Sequence, residues 1–181
     1  DQKTLDVLRS SADQWLRASI EDKVYYDWTW LGIPIIQTPS DMIIMQELIF
    51  RVRPNVLIET GVAHGGSLIF YSSMLRLIHG DDYSVIGVER DFRAHNRTVL
   101  EAHPLFRNVR VVEGDSTSAE TVRKIEQLQL GAPRKVMVAL DSYHGKDHVL
   151  RELELYSEFV NIGSYIVVFD TIVDTFEGID L

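Results

Sequence analysis

Two aspartates, Asp141 and Asp170, each stand immediately after an apolar run of strand length, Val136–Leu140 and Tyr165–Phe169. Placed at the carboxyl edge of neighbouring strands, their carboxylates come close enough to share a hard cation such as Mg²⁺, which takes oxygen ligands and keeps waters for a substrate. His144 lies on the same loop, in Asp141-Ser142-Tyr143-His144. An imidazole there can take a proton from a substrate hydroxyl, or serve equally as a third ligand. The plainer alternative is that Asp141 only orders its loop and His144 is an ordinary exposed histidine. His64 and His148 are weaker candidates, and His79, His95 and His103 read as helix-end or surface residues.

A second constellation begins at Glu59-Thr60-Gly61-Val62-Ala63-His64-Gly65-Gly66-Ser67. Its glycines let the backbone turn tightly and approach a ligand, and the helix it opens offers free N–H donors to a carboxylate or phosphate. The bland reading is a mere strand-to-helix connection. The spacing does not match the dinucleotide pattern G-x-G-x-x-G, which weakens an NAD-dependent oxidoreductase. Glu89, in Gly87-Val88-Glu89-Arg90-Asp91, falls beside this turn, where its two oxygens can accept both hydroxyls of a ribose. Its alternative is a solvated surface acid. Asp115 and Ser116, after Glu113-Gly114, could meet an adenine edge or could cap the following helix.

The elements that must position these residues alternate. Strands are expected at Val56–Glu59, Ser84–Val88, Val109–Glu113, Val136–Leu140 and Tyr165–Phe169, apolar runs of the kind buried on both faces. Between them Leu68, Tyr71, Leu75 and Ile78 mark one helical face, Val122, Ile125 and Leu128 another, and Val149, Leu153, Tyr156 and Val160 a third. This predicts an α/β fold with a doubly wound, mostly parallel sheet, helices on both faces, and a ligand outside the strand carboxyl ends. Ahead of it, residues 1–53 read as an N-terminal segment. A helix carries Leu5, Leu8, Ala12, Trp15 and Ile20, then a loop runs through Tyr25 to Gly32. Thr38-Pro39-Ser40-Asp41 opens a second helix with a cap, a proline at its first position and an acid three residues on. Trp28 and Trp30 plug a core or form an aromatic lid. Residues 1–181 are expected to form one domain, with 54–181 as the α/β core.

Composition limits the function. With 18 Lys and Arg against 27 Asp and Glu, a net charge of −9, the chain lacks the concentrated basic face that a phosphate backbone requires, so nucleic acid is disfavoured. The absence of cysteine excludes disulfides, thiolate zinc sites and a thiol nucleophile. No apolar run approaches the roughly 20 residues of a membrane helix, and a cytoplasmic location is expected. A small-molecule substrate fits best; homo-oligomerisation stays open.

At these residues the sequence resembles the cephalosporin hydroxylase and rhamnosyl O-methyltransferase family, a branch of the class I methyltransferases. The resemblance runs from about Trp30 to Thr171 and is carried by Trp30-Leu31-Gly32-Ile33-Pro34, Pro54-Asn55-Val56-Leu57-Ile58-Glu59-Thr60-Gly61, His64-Gly65-Gly66-Ser67 and Leu140-Asp141-Ser142-Tyr143-His144. It implies S-adenosylmethionine held by the turn, through Glu59, Gly61, Ala63, Gly65 and Ser67, and by Glu89, Arg90, Asp115, Ser116 and Asp141. It implies a divalent metal, Mg²⁺, at Asp141 and Asp170, with His144 and Asp141 as the catalytic pair, and a methyl acceptor that is a hydroxyl of a sugar or natural product. Members often carry a second acid just before the fifth-strand aspartate; here that place is Phe169, with Thr171 as the compensating metal ligand. The implied fold normally adds a further helix and an antiparallel strand pair, and these C-terminal strands are expected to be absent from this chain. A non-catalytic S-adenosylmethionine-binding module is the alternative from another class.

Overall fold

In the computed structural model, residues 1–128 and 134–172 are described. Helix α1 (Gln2–Glu21) is capped by the Asp1 side chain, which accepts from the Thr4 N–H. It lies on the surface, with Leu5, Leu8 and Trp15 exposed. After a 3₁₀ turn (Val24–Asp27), strands β1 (Thr29–Trp30) and β2 (Ile33–Pro34) form an antiparallel hairpin. The sequence reading had a loop here. Both turn residues, Leu31 at φ 48° and Gly32 at φ 90°, take the left-handed conformation that a two-residue hairpin turn demands. Trp30 then reaches α3, where its indole N–H donates to Ser73 Oγ (3.1 Å) and its ring meets Phe70 edge-on.

Helix α2 (Pro39–Val52) starts as its sequence predicts, with Thr38 Oγ1 accepting from the Asp41 N–H and Pro39 at the first position. It stops at Arg53, whose φ of 53° reverses the chain. Next come β3 (Val56–Thr60), α3 (Gly66–His79), β4 (Ser84–Glu89), α4 (Ala94–Glu101), β5 (Val109–Glu113), α5 (Ala119–Gln127), β6 (Val136–Leu140), α6 (Lys146–Tyr156) and β7 (Ile166–Val168). Helix α4 has no counterpart in the sequence reading. It buries only Asn96 and Leu100, too little apolar periodicity to register. The last helix also ends early, at Tyr156, with a 3₁₀ turn over Ser157–Phe159. Among the described residues no helix is long and apolar enough to cross a membrane.

The main sheet is parallel in the order β5-β4-β3-β6-β7. Side chains alternate across it. Leu57, Val85, Met137 and Ala139 join the core under α2, α3 and the hairpin, while Val56, Ile58, Ile86, Val138 and Leu140 face Ile125 of α5 and Tyr156 of α6. Every residue of β3 and β6 is buried, and each such large aliphatic side chain contributes roughly 1.5–3 kcal/mol.

Register carries this packing to the site. Thr60 pairs with both Val88 and Leu140, and Leu140 with Val168. The next residues, Gly61, Glu89, Asp141 and Phe169, therefore stand at one level at the carboxyl edge of the sheet, where an open parallel sheet presents its crevice.

Candidate active site

A cavity of about 450 Å³ opens at that crevice, within the range of small-molecule and cofactor sites. The turn after β3 forms its floor. Gly61 has φ 84°, and a Cβ there would land on the backbone carbonyl of Asp141, so only glycine lets the ends of β3 and β6 approach. Gly66, the first residue of α3, abuts the Pro34 carbonyl just as closely, which locks the hairpin against the start of that helix.

Glu89 braces the turn. Its Oε2 accepts from the N–H groups of Val62 (2.9 Å) and Ala63 (3.0 Å), and its Oε1 from that of Asp91 (3.2 Å). Glu89 also lines the cavity with Gly61, Ala63 and Ser67, and Arg90 lies on the rim. Glu59 and Gly65 stand behind this wall. Alternation along β3 puts Glu59 on the same face as Leu57, fully buried, where its Oε2 accepts from Ser67 Oγ (2.6 Å). Burial, reinforced by the charge of Asp141, holds its carboxyl well above the usual range.

Asp115 and Ser116 line the opposite end. Asp115 Oδ1 accepts from the backbone N–H and the hydroxyl of Thr117 (2.9 and 2.6 Å), and these bonds lower its pKa. The cap of the next helix is Ser118 instead, accepting from the Glu120 N–H. Ser116 is buried, with its Oγ 3.2 Å from His148 Nε2.

Asp141, His144 and Asp170 converge on the wall of this cavity, and His144 and Asp170 also line a second one. One ligand atom from each lies within 4.8 Å of the others, and His144 Nε2 is 3.3 Å from Asp170 Oδ2. Burial and the neighbouring Asp170 charge push the Asp141 carboxyl up to about 7, with Asp41 and Glu152 adding to the shift. Burial also raises Asp170, while His144 opposes the shift. Two carboxylates and an imidazole suit a divalent cation. Thr171 is exposed and faces the second cavity rather than the first. That cavity, about 640 Å³, has apolar walls from Trp15, Leu16, Ile20, Trp28 and Leu48 and a polar end at Gln37, Thr38 and Asp41.

Several residues here escaped the sequence reading. Gln37 donates to Asp141 Oδ2 (3.3 Å); its signal was a lone amide after Ile33-Pro34-Ile35-Ile36. Ser142 donates to the buried Glu152 (2.7 Å) and lies 3.0 Å from His148 Nε2, fixing the loop that carries Asp141 and His144. The Asn96 amide donates to the Ala63 carbonyl (2.9 Å). Glu152 and Asn96 look like surface positions of polar helices until the fold turns them inward.

The family model for rhamnosyl O-methyltransferase/CmcI matches residues 22–179. The chain belongs to this family. Among its relatives, the rhamnosyl O-methyltransferase of Mycobacterium tuberculosis is 30% identical over 167 residues, covering 92% of this chain and 64% of the relative. That of Mycobacterium leprae is 28% identical over 162 residues, covering 90% and 68%. The chain thus spans about two thirds of the length of these family members. Solved structures share the Rossmann-like methyltransferase fold. One is CmcI with Mg and SAM (TM-score 0.59, 19% identical, 82% of this chain and 60% of that chain). Another is a TDP-rhamnose 3′-O-methyltransferase of calicheamicin biosynthesis (TM-score 0.58, 17% identical, 73% and 62%).

Proposed function

We propose that this chain is the S-adenosylmethionine-binding core of an O-methyltransferase that acts on a hydroxyl of a small molecule, a sugar or natural product. The observation that carries this reading is the meeting of two cavities at His144 and Asp170, with Asp141 beside them on the wall of the first. One cavity takes the methyl donor, the other the acceptor, and the cluster sits where donor and acceptor touch.

The charge of the first cavity favours a sulfonium over a dinucleotide. Glu89, Asp115, Asp141 and Asp170 line it, and Arg90 is its one Lys or Arg among the described residues. A pyrophosphate would meet mostly acids, whereas a cationic donor is stabilised by them. Glu89 Oε1 keeps a lone pair free for a ribose hydroxyl, and Ser116 would stand at the adenine end. The family's rhamnosyl O-methyltransferases, by their name, methylate a sugar hydroxyl, which supports the acceptor class.

Asp141 and Asp170 would hold a divalent cation, whose chemistry when bound is to stabilise negative charge on the acceptor oxygen. The remaining work falls to the chain. His144 Nε2 lies 3.3 Å from Asp170 Oδ2; with that nitrogen turned to the carboxylate, Nδ1 would take the acceptor's proton as its oxygen attacks the methyl group. The walls align oxygen, methyl and sulfur for an in-line transfer, so much of the rate comes from positioning. A second reading makes His144 a third metal ligand, favoured by the clustering of the three side chains.

Calorimetric titration with S-adenosylmethionine, S-adenosylhomocysteine and NAD, each with and without Mg²⁺, tests the proposal. Binding of the first two supports it. Binding of NAD alone, or of none by a folded chain, overturns it.

A further inference from the structure

Gln37 is 6% exposed and stands on the walls of both cavities. Its Nε2 donates to Asp141 Oδ2 (3.3 Å) and to the Tyr71 hydroxyl (3.4 Å), while its Oε1 is buried with no hydrogen-bond partner. Leaving such a carbonyl unpaired forfeits its hydration without a replacement, so an orphan on a residue of the cavity wall points to a missing donor. Turning the amide over does not cure it. Oxygen would then face the Asp141 carboxylate, and the amide nitrogen would lose that acceptor.

No described group donates to this oxygen, and the ionised carboxylates of Asp141 and Asp170 on the same cavity wall only accept, so a donor would arrive with a ligand. A cationic N–H serves best, since its bond to the amide oxygen is charge-assisted and its charge is offset by the surrounding acids. We propose that Gln37 Oε1 accepts from the α-ammonium of the cofactor's methionyl arm, so that Gln37 recognises the amino-acid end of the molecule. This rests on the S-adenosylmethionine reading of the first cavity.

Two probes isolate the contact. S-adenosylhomocysteine carries the amino-acid arm; 5′-methylthioadenosine shares the nucleoside and thioether but lacks the arm. In Gln37→Met, of similar shape, affinity for S-adenosylhomocysteine should fall about tenfold or more while that for 5′-methylthioadenosine stays within about twofold. Equal losses for both probes would make Gln37 a support of the pocket, and no loss for either would place its oxygen toward the acceptor cavity; both overturn the assignment. Action through Asp141 is separated by repeating the substitution in Asp141→Asn. A retained selective loss supports direct contact, and a vanished one overturns it. Gln37→Leu serves should the methionine variant not fold. A wild-type chain that binds neither probe refutes the cofactor reading itself, an outcome distinct from failure of the Gln37 assignment.

Discussion

Glu59 shows how much one buried side chain can decide. Its carboxyl sits above its ordinary value of 4.5, chiefly through burial and then through the charge of Asp141. The native chain therefore keeps a proton that the unfolded chain has already released. This contribution is full below pH 4.5 and is lost as pH rises toward the native value, by up to about 1.4 kcal/mol per unit. Glu59→Gln keeps an acceptor for Ser67 and should flatten the decline. Urea midpoints from pH 4.5 upward check this, and parallel declines in both proteins would refute it. Glu89 acts on the ligand as well as the turn, so Glu89→Ala should weaken S-adenosylhomocysteine binding by about 1–3 kcal/mol; unchanged calorimetric affinity would remove Glu89 from the ribose. His144→Gln separates the two roles of that imidazole. As a base, its loss abolishes turnover with Mg²⁺ affinity intact, whereas as a ligand both fall together.

Among the elements, the β3–α3 turn and the hairpin do the positioning. Gly61→Ala must place a Cβ on the Asp141 carbonyl and hold alanine at φ 84°. Strain of this kind costs about 1–3 kcal/mol, a drop of several degrees in melting temperature for a chain this size, and it pushes Asp141 out of line with Asp170. A variant that melts and binds like wild type would show that the two strand ends are not in contact. The five main strands were legible because each is an apolar run bounded by polar turns. The hairpin was not: two-residue strands leave no periodicity, and Trp30 acquires its place from Ser73 and Phe70 of α3. Helix α4 was hidden for the related reason that only one of its faces touches the core, through Asn96 and Leu100.

For the molecule as a whole, acidity is concentrated where the ligands are expected. Burial raises the proton affinity of both Asp141 and Asp170, and the Asp170 charge raises that of Asp141 further, so a divalent cation that replaces those protons should stabilise the native state by mass action, about 2.7 kcal/mol at a hundred times its dissociation constant. Thermal melting with and without Mg²⁺ at constant ionic strength reads this out. The rise should be largely lost in Asp170→Asn, and a rise that persists there would locate the ion elsewhere.

The sequence by itself determined the alternation of strands and helices, the glycine turn, the capped start of α2, and which acids leave the sheet at its carboxyl edge. These are local properties, set by hydrophobic periodicity and by the conformations that glycine and proline impose. Only the tertiary structure decided that Glu59 stands behind the wall, that Glu89 braces the turn it faces, that Thr171 points to the second cavity, and that Gln37 bridges the two. Each of these depends on which face of a strand or loop is turned toward a distant segment, and that is fixed by register and packing between residues far apart in the chain.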